Sequence, residues 1–191
     1  MINGYDFSHH QNDAQIRVYL ANNPGFIFHK ASEGETYRDK ECVRRVSSFP
    51  AQVVPGIYHY LRADKCSAVK EAANFLAVSC QLLRDHMLAI DVEYSRSTGG
   101  TADNDNHFAH FKIFTETLLG AGVDRLVVYI PDTYSRRWYQ YIRENDLGLW
   151  IARYRTKQPE HISDFWQFTS KPVDTDVFYG SLDRLKSYYR R

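Results

Sequence analysis

Asp91 and Glu93 stand two residues apart at the end of the apolar run Met87-Leu88-Ala89-Ile90. In a β-strand, residues i and i+2 face the same side and the chain rises roughly 3.3 Å per residue, so the two carboxyls would project together, about 6–7 Å apart. Val92 between them would face the other way. Two like charges this close, partly withdrawn from water, push one pKa upward. One group then keeps its proton as a general acid while the other stays ionised, the division of labour that glycosidic bond cleavage requires. The same spacing admits other readings. It also fits a helix cap, an exposed loop, or a metal site completed by nearby histidines.

Other residues can be weighed in the same way. Asp6 closes the strand-like Ile2-Asn3-Gly4-Tyr5-Asp6-Phe7, and Asp174 follows a short apolar stretch at Val173. Tyr58 and Tyr60 alternate along one apolar run, and Tyr129, Trp150, Tyr154 and Trp166 fall at or near the ends of later ones. Flat rings with polar tips suit the walls of a sugar-binding groove, and they suit a core edge equally well. His9 and His10 are neighbours and cannot both point into one pocket from an extended chain. His59, between Tyr58 and Tyr60, should face away from them as a core histidine. His107 and His110 read as surface residues on one helical face. Arg44-Arg45, Arg136-Arg137 and Arg190-Arg191 read as solvated pairs that could weakly attract an anionic wall polymer.

The elements that would carry these residues alternate. Strands are expected at 2–7, 25–30, 56–61, 87–93, 125–130, 149–154 and 164–168, with a short one near Val173. Helices are expected at 10–22, with Ser8 as cap, and at 39–49, 67–84, 107–120 and 133–145, the last on the surface. Alternating β and α units imply a mainly parallel sheet. Up to eight strands in 191 residues favour a closed barrel. A complete (β/α)₈ barrel usually takes about 250 residues, and the last strands leave no room for helices between them. The expected fold is therefore α/β: an irregular, flattened (β/α) TIM-like barrel whose second half is mostly β, in one domain over 1–191. In such barrels the site lies at the strand C-terminal ends, where Asp6, Tyr58, Tyr60, Asp91, Glu93, Arg153, Tyr154, Trp166, Gln167 and Asp174 would gather.

Composition narrows the classes. Lys plus Arg number 24 against 23 Asp plus Glu, a net charge of +1, so no nucleic-acid partner is expected. No run approaches the roughly 20 apolar residues of a membrane helix, and no membrane partner is expected. Cys42, Cys66 and Cys80 are odd in number and lack CxxC spacing, which points to plain thiols rather than a zinc knuckle or disulfide framework. No basic, then apolar, secretory leader opens the sequence.

Taken in order, these segments resemble glycoside hydrolase family 25, the Chalaropsis-type lysozymes. The carriers are Gly4-Tyr5-Asp6-Phe7-Ser8-His9-His10-Gln11, then Phe28-His29-Lys30-Ala31-Ser32-Glu33-Gly34 with Tyr37 and Asp39, then Gly56-Ile57-Tyr58-His59-Tyr60. They continue with Asp91-Val92-Glu93, Leu149-Trp150-Ile151-Ala152-Arg153-Tyr154, Trp166-Gln167-Phe168 and Val173-Asp174. The resemblance implies an N-acetylmuramidase acting on peptidoglycan in the bacterial cell wall or periplasm. It implies catalytic Asp6, Asp91, Glu93 and Asp174, and needs no metal or organic cofactor. Tyr58, Tyr60, Tyr129, Trp150, Tyr154 and Trp166 become the candidate substrate walls, and the chain is expected to be a monomer. The missing leader leaves open a phage endolysin, an exported effector with an immunity or export partner, or a trimmed secreted protein. The rivals are a metal-dependent hydrolase on the same rim and a noncatalytic glycan-binding module.

Overall fold

The computed structural model describes residues 1–93, 103–154, 157–159 and 163–189. Its elements run β1 (Ile2–Phe7), α1 (Asp13–Leu20), β2 (Phe26–Glu33), β3 (Tyr37–Arg38), α2 (Cys42–Ser48), β4 (Val54–Tyr60), α3 (Ala68–Ser79) and β5 (Met87–Asp91). They continue with α4 (Asp105–Gly120), β6 (Val127–Pro131), α5 (Arg136–Glu144), β7 (Gly148–Ala152), β8 (Phe165–Thr169), β9 (Thr175–Phe178) and α6 (Leu182–Lys186). The strand order is β1-β9-β8-β7-β6-β5-β4-β2-β3, and a further pairing of β1 with β2 closes eight of the nine strands into a barrel. Only β9 runs against its neighbours β8 and β1; every other pair around the ring is parallel. β3 lies outside the ring as a hairpin partner of β2.

Period-2 alternation divides the strands between two cores. Ile27, Ile57, Leu88, Ile90, Val92, Val128, Ile130, Leu149 and Ile151 face outward and pack under the helices, where Phe75, Phe111, Phe114 and Trp138 meet them. Phe26, Phe28, Val54, Met87, Ala89, Val127, Trp150, Phe165 and Phe178 fill the barrel interior. Gly4 and Gly56 make room for this layer: a Cβ on either would lie about 2.4 Å or less from the Phe26 or Phe28 ring. Leu185 and Tyr188 join the interior cluster, and Tyr189 bridges to Met87. The C-terminal segment thus plugs the end of the barrel where the parallel strands begin. At the opposite end the interior turns polar, with no apolar plug among the described residues.

The barrel, its parallel first half and its helix-poor second half are as expected from the sequence, and eight of the nine strands fall where the pattern placed them. Several expectations need correction. β3 and α6 are too short to show a period. Asn12, not Ser8, caps α1, in a reciprocal box with Gln15, while Ser8 lies buried against Gln11. α5 is not a surface helix, because Trp138, Tyr139 and Ile142 are buried. Arg45 is also buried, bonding Asp13 and the Ser8 carbonyl. His107 is buried beneath the helix layer, and His110 bonds Glu71 at 2.5 Å. His59 is the core histidine expected, fully buried between Ser32 and Glu71. Arg190 and Arg191 lie outside the described residues.

Candidate active site

At the polar end of the barrel, Asp6, Tyr58, Asp91, Glu93, Tyr129, Trp150, Tyr154, Gln167 and Asp174 line a pocket of about 440 Å³, counting its open mouth. Each comes from a strand position or from within two residues of a strand terminus. Asp6 follows Gly4 on the inner face of β1, and Tyr58 follows Gly56 on β4. Asp91 follows Ala89 at the end of β5, and Glu93 continues the alternation past it. Val92 is buried among the helices, so the two carboxyls share the pocket face as the spacing required.

The carboxyls sit in an environment that resists their ionisation. Burial, and then the Asp174 charge, push Glu93 up to about 7, against the opposing pull of Lys30. Asp91 is raised well above the ordinary range by burial and by Glu93 beside it. Its Oδ1 is buried with no protein donor. Burial lifts Asp174 to about 6. The pocket floor is stricter still. Asp6 and Asp176 are both buried, with their carboxyls in hydrogen-bond contact, and each is raised by desolvation, Asp176 to about 8. Asp176 Oδ2 is buried with no hydrogen-bond partner. One proton shared by the pair relieves the like-charge repulsion.

A neutral hydrogen-bond chain holds this floor in place. Tyr129 and Tyr154 hydroxyls donate to Gln167 Oε1 at 2.9 and 2.7 Å. Gln167 Nε2 donates to Asp6 Oδ2 at 2.7 Å, and the Trp150 indole N–H donates to Asp176 Oδ1 at 2.9 Å. Trp150 also stacks on Phe28 with ring centroids 4.7 Å apart, so one ring belongs both to the barrel core and to the pocket. The Asp6 amide bonds the Asp174 carbonyl, joining the first strand to the approach of the last.

Eight of the ten residues singled out from sequence converge here. Tyr60 does not line the pocket; it stands beside it, its ring 4.9 Å from Lys30 Nζ. Trp166 faces away, its indole N–H bonding the Arg153 carbonyl and its ring against Phe168. Gln167, its neighbour in β8, takes the inward position. Asp176 and Lys30 were not singled out as site residues. Asp174-Thr175-Asp176 carries the same i, i+2 carboxyl spacing as Asp91-Val92-Glu93, a signal for Asp176 present in the sequence. Among the described residues no three His, Cys, Asp or Glu side chains converge to form a metal cage.

The arrangement offers a proton donor titrating near neutrality, a second carboxyl on the same face, and aromatic and amide groups around a cavity wide enough for a sugar ring. The fold is shared with solved structures. A muramidase from Acremonium alcalophilum superposes with a TM-score of 0.80 at 24% identity, covering 98% of both chains. A family 25 glycosyl hydrolase from Bacillus anthracis gives 0.79 at 24% identity, over 98% of this chain and 93% of that one. The modular Cpl-1 endolysin, solved with a peptidoglycan analogue, gives 0.68 at 22% identity, over 92% and 53%. No curated protein sequence matches the chain. The profile of the glycosyl hydrolases family 25 matches residues 5–177, from the strand that carries Asp6 to the strand that carries Asp176, and the chain belongs to that family.

Proposed function

We propose that this chain is an N-acetylmuramidase that hydrolyses the β-1,4 bond between N-acetylmuramic acid and N-acetylglucosamine in bacterial cell-wall peptidoglycan, with Glu93 as the general acid. The observation that carries this reading is the carboxyl pair on one face at the end of β5, with Glu93 held near 7 inside a pocket walled by Tyr58, Tyr129, Trp150 and Tyr154. Solved relatives named as muramidases, and one named with a peptidoglycan analogue, support the substrate.

In this reading Glu93 gives its proton to the leaving glycosidic oxygen. Extended-strand spacing would set the two carboxyls about 6–7 Å apart, beyond the roughly 5–5.5 Å of nucleophile-type retaining pairs. The substrate's acetamido oxygen fills that space and attacks the anomeric carbon as the glycosidic bond breaks. Ionised Asp91 stabilises the positive charge that develops on the acetamido group. Water then opens the cyclic intermediate, with Glu93 taking its proton, and the product retains the β configuration. Asp6 and Asp174, with Gln167 fixing the Asp6 carboxyl, orient the acetamido group and ring. The enzyme acts where the polymer is, in the wall or periplasm, as an endolysin or a delivered enzyme.

Clearing of purified cell walls tests the reading, with mass spectrometry of borohydride-reduced products. New reducing ends on N-acetylmuramic acid are expected. Reducing N-acetylglucosamine ends would make the enzyme a glucosaminidase instead. Glu93→Gln should keep the fold and lose about 10²–10⁴-fold in rate; a variant within a few-fold of wild type removes Glu93 from the role. Activity should persist after exhaustive EDTA treatment, and loss restored by Zn²⁺ would favour a metal-dependent hydrolase.

A further inference from the structure

A second hollow opens on the same rim. It holds about 750 Å³, counting its mouth, between the β2–β3 hairpin, with Glu33, Glu35, Thr36 and Tyr37, and the segment after β4, with Arg62 and Lys65. Strand register ties it to the carboxyl pair. Glu33 of β2 pairs with Tyr60 of β4, and Tyr60 with Asp91 of β5, so the backbone at its inner edge is two strand spacings from Asp91, roughly 10 Å. The inner wall is stiff, because its charges satisfy one another. Glu33 accepts from Lys30 Nζ at 2.6 Å and from Arg62 at 2.7 Å, and Arg62 Nε also donates to Asp64 at 3.1 Å. The outer wall keeps charge to offer. Glu35 is fixed by the Ser67 amide, which donates to Oε1 at 2.7 Å, while Oε2 meets only the exposed Lys70 ammonium, at 3.5 Å. Lys65 is 63% exposed and reaches Asp64 only at 4.0 Å, a loose pair of the kind that contributes little. Thr36 and Tyr37 are exposed beside them.

We propose that this hollow seats the stem peptide of the substrate, with Lys65 taking a peptide carboxylate and Glu35 an ammonium. The proposal deepens the muramidase reading and rests on it. In that reading the N-acetylmuramic acid of the cleaved bond sits over Asp91, and its lactyl group carries the peptide. An extended peptide advances about 3.3–3.6 Å per residue, so its second and third residues reach a hollow roughly 10 Å away. Those residues bring both signs of charge: the stem has free carboxylates, and its diamino acid has an amine. The sugars of the glycan strand carry no ionised group once the lactyl carboxyl is amide-bonded to the peptide. A sugar in the hollow would therefore leave Lys65 and Glu35 unused, whereas a zwitterionic peptide engages both.

The test measures kcat and KM on soluble glycan chains that keep their stem peptides and on the same chains stripped by an amidase. Wild type should show a KM about fivefold lower on the peptide-bearing chains, the scale of an exposed ion pair. Lys65→Glu reverses a charge and Thr36→Trp fills the hollow; both change exposed side chains outside the catalytic pocket. Each should raise KM on peptide-bearing chains by about fivefold, with kcat unchanged, and should cleave stripped chains as wild type does. Equal wild-type KM on the two substrates would overturn the proposal. So would variants that weaken both substrates alike, which would put a sugar in the hollow. Wild type that cleaves neither substrate would defeat the muramidase reading itself. The hollow is then read directly by NMR: the Thr36 and Lys65 amides should shift with peptide-bearing chains and not with stripped ones, and unshifted amides would overturn the peptide seat.

Discussion

The Asp6 and Asp176 carboxyls make a pH-sensitive contact, because a single shared proton relieves the repulsion between them. For Asp176 the folded-state pKa is about 8, above the ordinary Asp value of about 3.9. Such a group binds its proton more tightly in the fold, so stability falls as pH rises from about 4 through 8. Glu93 at about 7 and Asp174 at about 6 add to the same slope. Asp176→Asn removes one titration, keeps an acceptor for the Trp150 indole, and gives Asp6 a permanent donor. Its melting temperature at pH 8 should exceed that of wild type, and its difference between pH 5 and pH 8 should shrink; an unchanged difference would argue against the shared proton. Activity has its own window. If Glu93 is the acid, kcat/KM declines as pH passes above about 7, and Glu93→Gln abolishes that limb. Sequence alone exposed Asp91 and Glu93 because both lie on one strand. It missed the partnership of Asp6 with Asp176, since closure of the ring, not local spacing, brings residues 170 positions apart together.

At the scale of elements, Glu71 ties α3 to its neighbours. It is fully buried and accepts from His59 Nε2 of β4 at 3.4 Å, from His110 Nε2 of α4 at 2.5 Å and from the Arg62 amide at 2.8 Å. Burial alone would raise its pKa; the bonds from His110 and His59 overcome that and bring it down to about 2. Here the sign is opposite to that of Asp176. The contribution is present above the ordinary Glu range and is lost as pH falls from about 4 through 2. The acid pocket and this network therefore pull the pH dependence of stability in opposite directions. Glu71→Ala, which leaves buried donors without a partner, should cost about 3 kcal/mol at neutral pH by urea unfolding, and Glu71→Gln clearly less. Equal losses would mean that the charge is unused. Of this network only the burial of His59 was legible in the sequence. His110 follows a polar loop and carries no mark of burial, so its helical face alone suggested the surface. The amphipathic spacing of α3 and α4 was legible, and it is that packing which places His110 beside Glu71.

For the molecule as a whole, closure depends on both ends of the chain. β1 pairs with β9 at Ile2↔Phe178 and Tyr5↔Thr175, and Leu185 and Tyr188 seal the barrel below. Ending the chain at Gly180 would expose that interior and forfeit about 1.5–3 kcal/mol for each large side chain withdrawn, so the shortened protein should melt well below the full one by calorimetry. A melting point within a few degrees of wild type would show that the plug is dispensable. The sequence made the barrel recognisable because each strand is a separate apolar run, but the plug lies in a short helix whose pattern says nothing about what it covers. The bond from Gln167 to Asp6 spans 161 residues, and it has a consequence for synthesis. While the chain is being made, Asp6 leaves the ribosome some 160 residues before its partners on β8 and β9. A nascent chain therefore holds Asp91 and Glu93 on an open half-barrel, without the floor that positions Asp6. The cell that makes this enzyme meets no finished active site until β8 and β9 have been translated.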